Sequence, residues 1–166
     1  MLANTMLAGP AAMVILGTLS LVSCPNQNQV PPTVRLSFTS GSTNGTVDQT
    51  NGLPLQHVAP GQSISFTATG FSSLTGLQSI EIDPSEEFTC SNGQVGQSGS
   101  PSMVPIVKNA SGSPPPLSLS VDFNDGPPQN WCTSLPFSSW SGTFQAVAVG
   151  MNGLKTSSQP LNLASP

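Results

Sequence analysis

The sequence predicts an all-β fold in which two sheets pack face to face as a sandwich. Short stretches of alternating apolar and polar residues recur after residue 33, as expected of strands with one buried face. Glycine and proline contribute 16 and 17 of the 166 residues, which favours many turns. No segment after residue 24 keeps the 3.6-residue period of a helix. These three observations together point to a sandwich of short strands.

The alternation defines six strands and one weaker one. The cleanest example is LSLSVDF, in which Leu117, Leu119, Val121 and Phe123 are predicted to point inward. The weaker strand contains Pro105, which places it at a sheet edge. The predicted strands are Thr33–Ser40, Gln62–Gly70, Leu77–Asp83, Met103–Lys108 (the weak one), Leu117–Phe123, Gly142–Met151 and Thr156–Leu163.

Three loops are predicted between these strands. Gly41–Pro60 is rich in Gly, Asn and Thr, and we expect it to lack strands. Pro84 is expected to end its strand, because proline donates no ladder hydrogen bond. Two long irregular segments then follow, Ser85–Ser102 and Asn124–Ser141. Loops on a rigid scaffold commonly carry binding residues, so these two are the predicted binding loops.

Two segments carry a resemblance to a known family. APGQSISFTATGFSSLTGLQSIEID, residues 59–83, resembles the B and C strands of bacterial immunoglobulin-like domains, and SGTFQAVAVGMNGLKTSSQPLNL, residues 141–163, resembles their F and G strands. The resemblance implies an immunoglobulin-like β-sandwich of about seven strands over residues 33–166. Phe144 stands where such domains usually have tyrosine, so the hydrogen bond of a tyrosine corner is not expected. An architecture follows from this resemblance, but no activity.

The first twenty-three residues contain no charged side chain. Their apolar core, Ala11–Val22, is too short to span a bilayer and fits an export signal. Leu21-Val22-Ser23-Cys24 resembles the lipobox of bacterial lipoproteins, which implies a signal peptide over residues 1–23 and a lipidated Cys24. Residues 24–32, with the polar PNQNQVPP, then form a tether to the envelope membrane. The segment lacks the usual Lys or Arg, so an ordinary cleaved signal or a short uncleaved anchor are the alternatives.

Three cysteines are an odd number. If Cys24 is acylated, Cys90 and Cys132 remain as a pair, and an exported setting would permit a disulfide between them. The alternatives are two buried thiols or a metal site. A metal is disfavoured, because His57 is the chain's one histidine and no CxxC occurs.

The net charge and the small number of basic residues argue against two classes of partner. Only 6% of the residues are charged, the net charge is −4, and three residues are basic. No basic patch can neutralise phosphates, so nucleic acid is not an expected partner. The same net charge argues against adsorption to anionic lipid through charge.

No catalytic set is evident. His57 lies in a loop flanked by proline and glycine, and no GxSxG occurs, so we predict no serine hydrolase. Glu81 and Asp83 alternate with apolar residues, and Glu86 and Glu87 fall in a predicted loop, which indicates solvated acids rather than a catalytic pair. We expect neither an enzyme nor a cofactor or metal.

Trp131 and Trp140 are the candidate binding residues, because exposed aromatic rings on a loop can stack on sugars or anchor a protein. Alternatively, Trp131 packs against the predicted bridge and Trp140 fills the end of the sandwich. The expected function is that of a non-catalytic, exported surface lipoprotein. Self-assembly within a larger extracellular structure and carbohydrate binding are the alternatives.

Overall fold

The structure is a computed structural model that describes residues 30–59, 61–91, 95–97, 104–125 and 137–166, and these residues form strands without a helix. The all-β prediction is therefore confirmed. The eleven strands are β1 (Thr33–Ser40), β2 (Thr43–Asp48), β3 (Gln56–His57), β4 (Ile64–Phe71), β5 (Leu77–Cys90), β6 (Val95–Gln97), β7 (Ile106–Asn109), β8 (Ser118–Asp125), β9 (Phe137–Gly150), β10 (Lys155–Ser157) and β11 (Leu161–Ala164).

The first sheet has the strand order β2-β1-β4-β8 and is antiparallel throughout. Alternate residues of β1 and β4 are buried, as the period-two pattern predicts. The outward positions carry short polar side chains that bond across strands, such as Thr67 to Asp122 at 2.7 Å and Ser65 to Asn124 at 2.7 Å. This sheet thus has one apolar face and one face rich in hydroxyl and amide groups.

The second sheet has the order β3-β11-β9-β5-β6, with β10 beside β9 and β7 beside β5. The two fourteen-residue strands β5 and β9 form its centre. The sheet is mixed, because the short β3 pairs with β11 in parallel whereas the other pairs are antiparallel.

The core lies between the two sheets. Phe66 of the first sheet meets Phe144 of the second with ring centroids 4.2 Å apart, and Phe123 stacks on Phe66 at 5.9 Å. Aliphatic side chains from both inner faces complete this layer. The molecule is therefore an all-β sandwich with a continuous apolar core.

All three predicted loops contain strand residues, and Ser85–Ser102 holds the end of β5 and all of β6. Gly41–Pro60 was expected to be loop, but it contains β2 and β3. In β2 only Val47 is buried, so the strand has no alternating apolar pattern that the sequence could reveal. It forms because its backbone pairs with β1 along the edge of the sheet.

Pro84 does not end its strand, and that prediction was wrong. β5 continues through it to Cys90, with Pro84 opposite Phe144 of β9. The pairs between β5 and β7 end at Ile82, and those between β5 and β6 begin at Glu87. The proline lies in the gap between these two short partners, where its missing N–H removes no ladder bond on that side.

Other observed strand boundaries also differ from the predicted ones. The strand predicted from Gly142 begins at Phe137, so part of the predicted loop Asn124–Ser141 is strand. Leu117 was expected to point inward, but it precedes β8 and is exposed. The predicted inward positions Leu161 and Leu163 are fully buried, and the weak edge strand is present as β7, starting after Pro105.

The two ends of the sandwich carry different loops and strand termini. We call one the tether end, because the chain enters β1 there; it also carries the loops 72–76, 110–117 and 150–154. The opposite end, here the far end, carries the last residues of β5, β8 and β11 and the first residues of β9. In the described part of the chain there is no helix of the length and apolarity needed to cross a membrane.

Candidate functional site

The predicted site residues fall in different places. Cys24, Trp131 and Cys132 lie outside the described residues, so the lipidation and the role of Trp131 stay predictions. Cys90 is the last residue of β5 and is buried at the far end. The bridge from Cys90 to Cys132 stays a prediction as well, since it needs a residue outside the described ranges.

Trp140 is buried, with 2% of its surface exposed. Its indole N–H donates a hydrogen bond of 3.1 Å to Oε2 of Glu86, and its ring lies 6.5 Å from that of Phe144. A ring in this position has no face with which to stack on a ligand. The structure agrees with the alternative that Trp140 fills the end of the sandwich, and not with its use as a binding residue.

Glycine 142 explains how the two rings fit together. Trp140, Gly142 and Phe144 are alternate residues of β9 and share the inner face. A Cβ on Gly142 would lie 2.7 Å from a Phe144 ring carbon and 2.9 Å from a Trp140 ring carbon. The absent side chain leaves the space that both rings occupy.

Glu86 is the residue whose position differs most from its predicted one. It was expected on a solvated loop, but it lies on the inner face of β5 opposite Gly142 and is 2% exposed. Asp125 ends β8 on the inner face of the other sheet, also at the far end. Placing acids inside the sandwich is costly unless donors surround them, and the Trp140 indole is one such donor for Glu86.

His57 lies at the far end on the edge strand β3. Its Nδ1 is 3.3 Å from the backbone oxygen of Ser165. The Ser165 hydroxyl accepts a 3.0 Å bond from the Trp140 backbone N–H, so it serves the β9 backbone. The histidine and the serine hydroxyl are therefore used for packing the C-terminal strand rather than arranged as a base and a nucleophile.

No group of three or more His, Cys, Asp or Glu side chains is gathered as a metal site within the ranges that the structure describes. The acids at mid-strand are spread along β5 instead. Burial raises the pKa of the Asp83 carboxyl, the nearby Glu81 carboxylate raises it further, and Lys155 opposes the rise. Asp83 thus marks a partly desolvated position on the outer side of β5.

A shallow groove of about 320 Å³ lies on the outer face of the first sheet, towards the tether end. Its lining includes the exposed Phe71 and Arg35, the chain's one arginine. An aromatic ring beside a guanidinium can hold a small ligand that has both an apolar face and an acidic group. The groove is lined by Thr33, Val34, Arg35, Asp48, Gln49, Thr69 and Phe71.

Asp48 closes the groove at the end of β2. Its Oδ1 accepts bonds from the backbone N–H groups of Thr50 and Asn51, both at 2.7 Å, and from the Asn51 side chain. The Asn51 side chain and the Thr50 backbone N–H hold the pKa of Asp48 well below its usual value. Asp48 therefore caps the turn that follows β2 and stays ionised.

Comparison with known proteins supplies no identity. No protein-family model matches the chain, and no curated protein matches it. A solved structure described as "X-ray structure of Northeast Structural Genomics Consortium target SoR45" is similar at 11% identity, over 82% of this chain and 90% of that one, with a TM-score of 0.31. A similarity of this size carries no argument about fold or function.

Proposed function

We propose that this chain is a non-catalytic, exported surface lipoprotein. Cys24 is the lipidated residue, residues 25–32 form a tether, and the sandwich is a rigid module that presents its far end. The observation that carries the proposal is the placement of the chain's entry and of its predicted binding loops at opposite ends.

The entry is defined by a contact. The Asn152 side chain donates a 3.1 Å hydrogen bond to the carbonyl of Val30, which holds the chain against the turn between β9 and β10. The predicted binding loops are attached at the other end, where β5 and β8 finish at Cys90 and Asp125 and β9 begins at Phe137. A module tethered at one end and carrying its loops at the other presents those loops away from the membrane.

The strand pairing supports the immunoglobulin-like assignment within this proposal. If β4, β5, β9 and β10–β11 are the B, C, F and G strands, then β1, β4 and β8 pair in the order A-B-E and β5, β9 and β10–β11 in the order C-F-G. The extra edge strand β2, and the lack of a D strand among the described residues, depart from that pattern.

The anchor and the bridge are tested by the intact mass of the protein from its native membrane fraction, before and after reduction. The expected mass is that of residues 24–166 plus acyl chains, increasing by two hydrogens on reduction. A Cys24→Ser variant should lose the acyl mass. An unacylated mass in the parent protein would overturn the anchor, and a mass unchanged by reduction would overturn the bridge.

Assembly is the second candidate, and one observation favours it. β8 pairs only with β4 in the described part of the structure, so this eight-residue strand is an edge of its sheet, with β7 of the other sheet close to it. Such an edge can accept a strand from another chain. A concentration-dependent filament or oligomer would favour assembly, whereas a monodisperse monomer would favour presentation of the far end.

A further inference from the structure

Exposed apolar side chains are concentrated at the tether end. Nine large apolar residues are substantially exposed in the described ranges, and six of them lie at this end, each between 36% and 51% exposed. The other three, Leu55, Val104 and Val107, lie along the two edges of the second sheet. We call the six the apolar cap: Val30, Phe71, Leu74, Leu117, Met151 and Leu154.

Hydrogen bonds between the loops join the cap into one surface. Met151 N–H donates to Gly76 O at 3.0 Å, and Ser72 N–H donates to Leu117 O at 2.8 Å. Together with the bond from Asn152 to Val30, these contacts hold four chain segments at one end. A fixed cluster of exposed apolar residues on a soluble scaffold indicates an interaction surface.

The charged residues are distributed unevenly between the two halves of the sandwich. All three basic residues, Arg35, Lys108 and Lys155, lie in the half of the sandwich nearer the tether end, as their strand registers show. Four acids lie towards the far end: Glu86, Glu87, Asp122 and Asp125. The other three acids lie among the basic residues: Asp48 pairs with Arg35, Glu81 follows the residue that pairs with Lys108, and Asp83 lies close enough to Lys155 for the lysine to oppose the rise of its pKa. Charge is therefore balanced in this half of the sandwich, and the exposed apolar side chains alone favour a lipid surface there.

The chain outside the described residues identifies the occupant. Val30 is preceded by 29 residues that include the apolar run Ala11–Val22. Cys24 is six residues before Val30, and six extended residues reach at most roughly 20 Å. An acyl group on Cys24 would keep Val30, at the edge of the cap, within that distance of the lipid.

We propose that the apolar cap docks on the lipid surface, with its side chains inserted at the headgroup level. The inference rests on the proposed anchoring, because the anchor supplies the bilayer. Its consequence is orientation: the sandwich stands on the membrane on its tether end instead of moving freely on its tether.

The test is depth-dependent quenching of tryptophan fluorescence by lipids with brominated acyl chains. The full chain, recovered from the membrane, is placed in vesicles of phosphatidylcholine and phosphatidylglycerol. Leu74→Trp sets a probe in the cap, and Ser63→Trp sets a matched probe at an exposed position of the far end. After subtraction of the parent signal, we expect the Leu74→Trp probe to be quenched at least about threefold more than the Ser63→Trp probe. Interfacial side chains insert about 5–10 Å into the lipid, so only a probe in the cap should come near the brominated chains.

Matched substitutions test whether the cap itself holds this position. Met151→Ser with Leu154→Ser should reduce quenching of the Leu74→Trp probe, because the cap loses apolar contact with lipid. Val104→Ser with Val107→Ser removes as many exposed apolar residues from a sheet edge and should leave quenching unchanged. All of these side chains are on the surface, so folding should be unaffected.

Equal quenching at the two ends, or stronger quenching at Ser63→Trp, would overturn the docking proposal. A cap probe that escapes quenching and shifts to shorter wavelength at higher protein density would assign the cap to a second copy of the chain. The anchor is judged separately from the mass of Cys24. An acylated chain with an unquenched cap would contradict docking and leave the anchor standing. An unacylated chain with a quenched cap would contradict the anchor and leave docking standing.

Discussion

At the residue scale, the contact between Trp140 and Glu86 is the most informative polar contact of the core. A carboxylate on the inner face of a strand needs donors, and the indole N–H of Trp140 provides one in a fully buried position. The same ring packs near Phe144 and closes the far end of the apolar core. One side chain therefore serves both the polar and the apolar part of this end.

Trp140→Phe should lower the free energy of unfolding by about 1–3 kcal/mol, because a buried carboxylate loses a hydrogen-bond donor. Urea denaturation measures the change. Glu86→Gln keeps an acceptor oxygen without a buried charge, so Trp140→Phe should cost less when Glu86→Gln is already present. Equal costs in the two backgrounds would mean that the carboxylate of Glu86 binds the indole no more strongly than a neutral amide does.

Asp83 gives a pH-dependent prediction. Its pKa is raised in the folded protein, so the unfolded chain releases this proton first as the pH increases. The folded state loses stability as the pH rises from the usual value of 3.8 through the higher folded pKa. Asp83→Asn should therefore be more stable than the parent at neutral pH, and the difference should vanish below about pH 3.8.

The measurement is the urea midpoint as a function of pH. Ser85→Asn is the matched control, since it adds the same amide at an exposed neighbouring position without removing an acid. A parent and an Asp83→Asn variant with parallel pH profiles would contradict the raised pKa.

At the element scale, serine hydroxyls complete the pairing of β9. The last strand is interrupted between β10 and β11, where Gln159 and Pro160 leave the ladder. Ser158 bridges the gap: its N–H donates to Ala146 O at 2.8 Å, and its hydroxyl accepts from Ala146 N–H at 3.0 Å. Ser165 makes the equivalent pair of bonds with Trp140.

Ser158→Ala should cost about 1–3 kcal/mol, because the buried N–H of Ala146 loses its acceptor. Hydrogen exchange at Ala146 should become faster, which distinguishes loss of this bond from general loosening. Ser157→Ala, in the adjoining exposed position, is the control and should leave both quantities unchanged. Unchanged exchange at Ala146 in Ser158→Ala would show that water or another group replaces the hydroxyl.

The strands that the sequence predicted well are those whose inner face is apolar at every second residue, as in β1 and β4. β2 was missed because an edge strand needs only backbone pairing, and its residues show no alternation. The start of β9 was missed because Gly142 and the serines around Trp140 resemble a loop. Trp140, Gly142 and Phe144 are alternate residues, so they lie on the same face of a strand. This spacing is the signal that would have revealed the start of β9 and the burial of the Trp140 ring.

At the scale of the whole molecule, the two sheets are joined by aromatic contacts across the core. Phe66 contacts Phe144 of the opposite sheet and Phe123 of its own. The clusters of exposed side chains could not be predicted to the same degree. A core follows from local alternation, whereas a surface cluster such as the apolar cap depends on which distant loops meet at one end.

Phe66→Ala should destabilise the protein by about 3–5 kcal/mol, because it opens a cavity between the sheets. Chemical denaturation followed by both tryptophan fluorescence and circular dichroism measures the loss. The two signals should still change together, since one core holds both sheets. The exposed Phe71→Ala is the control and should cost far less. Separate transitions for the two signals would mean that the sheets unfold independently.

The opposite placement of Val30 and the last strand has a mechanical consequence. A force applied between Val30 and Ala164 runs along the strands, because β1 begins at one end and β11 finishes at the other. The hydrogen bonds that β1 and β11 make with β4 and β9 lie across that direction. Such a force loads these hydrogen bonds together in shear instead of opening them one after another. The sandwich should therefore resist extension along its length.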